Sequence, residues 1–162
     1  MGELTATLLE IQANIKRELS PPPPPLMQVD ISADELHGYL QEVAGNVSIL
    51  LADTKYKITT TDEMLRFLRW AKVWRMRWRA EAPDCDDFTR KLKGALVCEG
   101  WWWQPALDCW FQVDGGHSEL ITVLLDENNE KQVYLIEGQK EFAMFELAAE
   151  VFEEHKPYLI KQ

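Results

Sequence analysis

The sequence predicts an α+β domain, on three observations. Apolar residues recur at helical spacing through the first hundred positions, strand-like runs take over after Cys109, and short turn sequences separate those runs. Helices followed by a small antiparallel sheet and a C-terminal helix are therefore expected.

The elements follow in order. Leu4, Leu8, Ile11, Ile15 and Leu19 form one stripe of an N-terminal amphipathic helix over residues 1–20. Five prolines, Pro21 to Pro25, then forbid helix and favour an extended spacer, so residues 21–30 read as a proline-rich linker and 31–162 as the α+β domain. The N-terminal helix has two open uses, packing on its own domain or joining a partner or second copy in a homo-oligomer. Ser32 and Glu35 form a capping box ahead of Leu36, Tyr39, Leu40 and Val43, with Gly45 as the stop.

Residues 47–52 are an apolar run of strand or buried-helix type, and 53–61 a connection. Thr60 and Glu63 open a long helix through Phe67, Trp70, Trp74 and Trp78 that ends before Pro83. Asp84 caps a third helix carrying Phe88, Leu92 and Leu96. Strands are expected at 109–113, 117–125 and 132–137, and a last helix at 140–155 ahead of Pro157.

With 162 residues, 46% of them hydrophobic and 27% charged, the chain can build one real core and lies outside the disordered and fibrous classes. Three cysteines cannot close a disulfide framework, and neither an export signal nor a membrane-length apolar run is visible. A cytoplasmic protein with no membrane partner is expected. The net charge of −10 opposes nucleic-acid binding unless basic residues are concentrated. Six of the 17 do lie between Arg66 and Arg79, but Trp70, Trp74 and Trp78 recur every four residues as one buried stripe. A solvated basic face is the favoured account, and nucleic acid is disfavoured.

Cys85 sits in a predicted first helical turn, where N–H groups and the helix dipole lower a thiol pKa. The ordinary alternative is a small buried hydrophobe beside acidic caps. His117 follows Gly115-Gly116 at the entrance to a strand, and Glu137 ends the strand that pairs with it. If the loop is Asp126 to Glu130, Leu125 faces Lys131, and His117 and Glu137 share a face as diagonal neighbours. A two-residue Asn128-Asn129 loop would put them on opposite faces, and the longer loop is favoured because the shorter one opposes Glu127 to Glu130. At least one of the adjacent Trp101, Trp102 and Trp103 must point away from the core, where it could line a groove or partner surface. A zinc site built on the cysteines lacks any C-x-x-C pair, and no phosphate-loop, dinucleotide or serine-hydrolase motif is present.

The blocks Asp84-Cys85-Asp86-Asp87-Phe88, Gly116-His117 and Leu135-Ile136-Glu137-Gly138-Gln139 resemble those of a papain-like domain. That domain is typified by the C-terminal half of a mushroom agglutinin and its bacterial and phage relatives, and the likeness spans about residues 55–139. It implies a papain-like fold and a cysteine hydrolase acting on a peptide or amide bond in a peptide or protein substrate. Cys85 would be the nucleophile, His117 the base, Glu137 the orienting acid and Gln139 a supporting polar group. It also implies calcium, with Asp86 and Asp87 as the nearest oxygen ligands. Three departures stand out: Gly138 where proline is common, Ser118-Glu119 where smaller, less polar residues are usual, and no lectin domain read ahead of this one. Relatives with alanine at the cysteine position imply the alternative, a catalytically inactive scaffold acting as an interaction module.

Overall fold

A computed structural model of the chain describes residues 25–75, 84–112, 116–139 and 144–162. The N-terminal helix expected at 1–20, most of the proline run, and Trp78 lie outside them. The described elements are β1 (Val29–Ser32), α1 (Ala33–Ala44), β2 (Ser48–Leu50), β3 (Lys55–Ile58), α2 (Thr61–Ala71), α3 (Cys85–Cys98), β4 (Leu107–Phe111), β5 (His117–Leu125), β6 (Lys131–Glu137), β7 (Met144–Leu147), α4 (Ala148–Glu154) and β8 (Pro157–Lys161). A 3₁₀ turn at Val73–Arg75 follows α2.

The architecture is a six-stranded sheet, ordered β2-β8-β4-β5-β6-β7, with a separate β1-β3 ribbon. It is mixed, because β2 runs parallel to β8 while the other pairs are antiparallel. The expected papain-like order, helices before a small antiparallel sheet and a helix last, is corrected here. Two ribbon strands and β2 are interleaved with the first helices, and the chain ends in a strand inserted between β2 and β4. Pro157 is the first residue of that strand, a position where the missing N–H is tolerated.

Both faces of the sheet are covered, which explains the nearly unbroken apolar run of β5. Ile121, Val123 and Leu125 join one core with Leu36 and Leu40 of α1 and Phe152 of α4. Leu120 and Leu124 point the other way, into a second core with Phe67 of α2, Phe88 and Leu92 of α3, and Trp101.

Local signals set the helix ends. Ser32 Oγ accepts from the Glu35 N–H at 3.1 Å and Thr60 Oγ1 from the Glu63 N–H at 3.3 Å. Helix α2 stops at Ala71, earlier than the tryptophan spacing predicts, because Lys72 takes a left-handed conformation (φ 49°) and its N–H closes on the Leu68 carbonyl. Of the helix expected at 140–155, residues 140–143 lie outside the described ones. Residues 144–147 pair with β6 as β7, and among the described residues only Ala148–Glu154 is helical.

After α3, Gly100 (φ 82°) turns the chain so that the Trp101 N–H bonds the Leu96 carbonyl at 2.8 Å. Buried Gln104 then anchors the tryptophan loop to the sheet, its amide donating to Thr122 Oγ1 at 2.8 Å and to the Val123 carbonyl at 3.1 Å. Lys57 of the ribbon donates its N–H to the Trp103 carbonyl at 2.9 Å. These bonds fix how the three tryptophans face.

Candidate functional site

Two cavities among the described residues are lined by several charged side chains. The first is built on the β5–β6 hairpin. Asp126 shapes its loop, Oδ1 accepting from the N–H groups of Asn128 (2.8 Å) and Glu130 (2.9 Å), while Asn129 takes the left-handed conformation (φ 61°). Leu125 therefore faces Lys131, and the register runs on to Leu120 opposite Ile136. One step further, Glu119 stands across from Glu137, and His117 lies diagonally beside them on the same face.

His117 Nε2 lies 3.0 Å from Glu119 Oε1 and 3.3 Å from Glu137 Oε2. Hydrogen bonds to Glu119, first, and to Glu137 raise the pKa of the ring to about 10, against the lowering effect of burial. Glu137 Oε1 accepts the backbone N–H of Gln139 at 2.9 Å, which orients the carboxylate. The cluster forms part of the wall of a cleft of about 760 Å³ shared with Tyr134, Phe145 and Glu150. Glu119 was not among the expected site residues. Its signal was present in the sequence, since residue i+2 on a strand shares the face of residue i.

Cys85 is the first residue of α3, and that end of the helix is tied to β5. Thr89 Oγ1 lies 3.2 Å from the Cys85 carbonyl and 3.3 Å from that of Ser118. A Cβ at Gly138, one of the departures from the resembled pattern, would come within 3.3 Å of Phe88 Cβ on α3, a tight contact. No hydrogen bond joins the Cys85 thiol to His117 among the described residues. Cys109 is buried, and desolvation, with Glu119 adding, pushes its thiol well up; Cys98 is exposed on α3.

Asp84, Asp86 and Asp87 bring carboxylate oxygens within 4.8 Å of one another at the start of α3. A hydrogen bond with Asp84, first, and partial burial hold the Asp86 carboxyl above its usual range. Asp84 Oδ1 is buried with no hydrogen-bond partner among the described residues. This all-oxygen set fits a hard cation such as calcium in donor chemistry. Arg90 competes for it, reaching Asp86 at 2.5 Å and Asp87 at 3.4 Å.

The second place is a groove of about 420 Å³ between the ribbon and the tryptophan loop, lined by Asp30, Ser32, Lys55, Lys57, Trp102 and Trp103 among others. Trp101 is fully buried. Trp103 stacks on it with centroids 5.7 Å apart, and Trp102 stands 69% exposed.

No protein-family model and no curated protein matches the sequence. Solved structures do match, and they define a fold: that of part of a lectin chain. One is titled as PSL1a in complex with E64 and another as Polyporus squamosus lectin bound to the human-type influenza-binding epitope Neu5Acα2-6Galβ1-4GlcNAc. Each is 19% identical with a TM-score of 0.67 and covers 82% of this chain. The chain spans about half of theirs, 51% and 49%.

These matches correct the resemblance to a papain-like protease, and with it the hydrolase and cysteine-protease function that it implied. In the geometry, the His117 ring contacts Glu119 and Glu137, and no hydrogen bond joins it to the Cys85 thiol among the described residues. No helix among the described residues is long and apolar enough to cross a membrane.

Proposed function

We propose that this chain is a non-catalytic binding module that takes a carbohydrate in the groove walled by Trp102 and Trp103. The observation that carries this reading is the 69% exposure of Trp102 beside a formed groove, on a loop whose neighbours Trp101 and Gln104 are buried. A large indole held out of the core by a rigid loop offers a flat apolar face for the C–H face of a sugar ring at little ordering cost. Around it, Asp30 and Ser32 can accept hydrogen bonds from hydroxyls, and Lys55 and Lys57 add two cationic donors.

Likeness of fold to a lectin supports the reading, and the two lysines suit an acidic sugar such as the Neu5Ac end of the epitope named for that lectin. Titrating the protein with Neu5Acα2-6Galβ1-4GlcNAc and with Galβ1-4GlcNAc, followed by tryptophan fluorescence, is expected to give saturable binding that favours the sialylated ligand. Trp102→Ala should weaken it about tenfold or more, equivalent to about 1.4 kcal/mol, with the melting temperature unchanged. Absence of any response, or an equal response from Trp102→Ala, would overturn the reading in favour of a protein partner.

Calcium at Asp84, Asp86 and Asp87 belongs to the same proposal and is supported by the donor set alone. Added calcium should raise the melting temperature of the wild type and leave Asp86→Asn unmoved. An unchanged wild type would remove calcium from the account.

A further inference from the structure

We propose that His117, Glu119 and Glu137 form a binding site for a divalent transition-metal ion, opening onto the cleft beside the β5–β6 hairpin. The inference is independent of the carbohydrate reading, which uses a different groove. It begins from the register. Two glutamates directly opposite one another on adjacent strands repel, and burial of both side chains, to 13% and 11% exposure, strengthens the repulsion. A cation shared between them relieves it. A divalent ion brings two positive charges to the pair and leaves the imidazole neutral.

The distances suit the larger charge. Metal–nitrogen and metal–oxygen bonds of about 2.0–2.2 Å place neighbouring ligand atoms roughly 2.8–3.6 Å apart around a tetrahedral or octahedral ion. His117 Nε2 stands 3.0 Å and 3.3 Å from the two carboxylate oxygens, and the three ligand atoms lie within 4.8 Å of one another. The two edges from Nε2 already have the spacing of a coordination shell, so an ion that replaces the Nε2 proton has to draw in only the two carboxylate oxygens.

The ligands are also held from behind. The Gln139 N–H fixes Glu137 through its other oxygen, and the Phe111 ring lies over the imidazole at 6.1 Å between centroids. Three protein donors leave further coordination positions for water or a ligand, and the cluster lines the cleft from which these would come. A ring nitrogen with two carboxylates suits zinc, manganese or iron(II), in contrast to the all-oxygen aspartates at α3.

The test uses the full chain freed of metal by chelator. Zinc is titrated calorimetrically, and cobalt(II) is added to read the visible bands of a low-symmetry site. Stoichiometric zinc binding, lost in His117→Ala and weakened at least about tenfold in Glu119→Gln but retained in Asp86→Asn, is the expected result. Should either variant fold poorly, the wild type alone decides by NMR. Zinc must shift the His117 ring signals at one equivalent. Absence of saturable zinc binding, binding that survives both cleft variants, or a His117 ring indifferent to zinc would overturn the site. None of these outcomes depends on the response to sugars.

Discussion

Replacing Trp101 with alanine is expected to destabilise the fold by about 3–5 kcal/mol, the range for removing a large aromatic side chain from a packed interior. Trp101 is fully buried, its ring tilted against Phe67 at 4.8 Å between centroids and stacked beside Trp103 at 5.7 Å. It occupies the place where α2, α3 and the sheet meet in the second core, so few neighbours can collapse into the space. Its indole N–H has no hydrogen-bond partner among the described residues, which offsets a little of the loss. Against a typical total stability of about 5–15 kcal/mol, the variant should unfold at a markedly lower urea concentration. Trp103 also loses its stacking surface, so sugar binding should fall together with stability. Trp102→Ala, on the same loop, should change stability by no more than about 0.5 kcal/mol. Equal stability for Trp101→Ala and the wild type would mean that the loop is not part of the core.

What the sequence made legible was local. The Asp126 loop and the alternation on either side of it fix the pairing of Leu125 with Lys131, and from that register the meeting of His117 and Glu137 follows by counting. Ser32, Thr60 and Gly45 mark helix ends because each acts on N–H or carbonyl groups a few residues away. Strands that depend on distant partners were not legible. Residues 157–161 gain strand character only between β2 and β4, and their short run after a proline reads as a tail when considered alone. Likewise β3 stays ordered by pairing with β1 across α1, where the sequence suggests a mere connection. Ser118-Glu119 reads as a departure from the resembled pattern, and that reading hides Glu119. Its strand position, two residues from His117, was the physical clue.

The strongest pH effect should come from that same glutamate. In metal-free protein, held in chelator, the His117 ring is expected to titrate with a midpoint near pH 10, because it is enclosed by Glu119 and Glu137. A histidine in an unfolded chain titrates near 6.5, so the folded value is the higher of the two. The stabilisation this pairing contributes is therefore complete below about pH 6.5, and it is lost as pH rises through 10. Urea midpoints should fall steadily from pH 7 to pH 10. Glu119→Gln keeps the shape of the side chain but removes the carboxylate whose hydrogen bond to the ring contributes most, and should lower the His117 midpoint by about 1–3 pH units. The fall in stability then moves to a lower pH range, with the register of β5 on β6 unchanged. Ring carbon shifts followed by NMR across pH 5 to 11 measure this directly. A wild-type midpoint near 6.5 would mean that the two carboxylates do not hold the ring in solution, and that the cluster beside the cleft is more open than its 3.0 Å and 3.3 Å contacts describe.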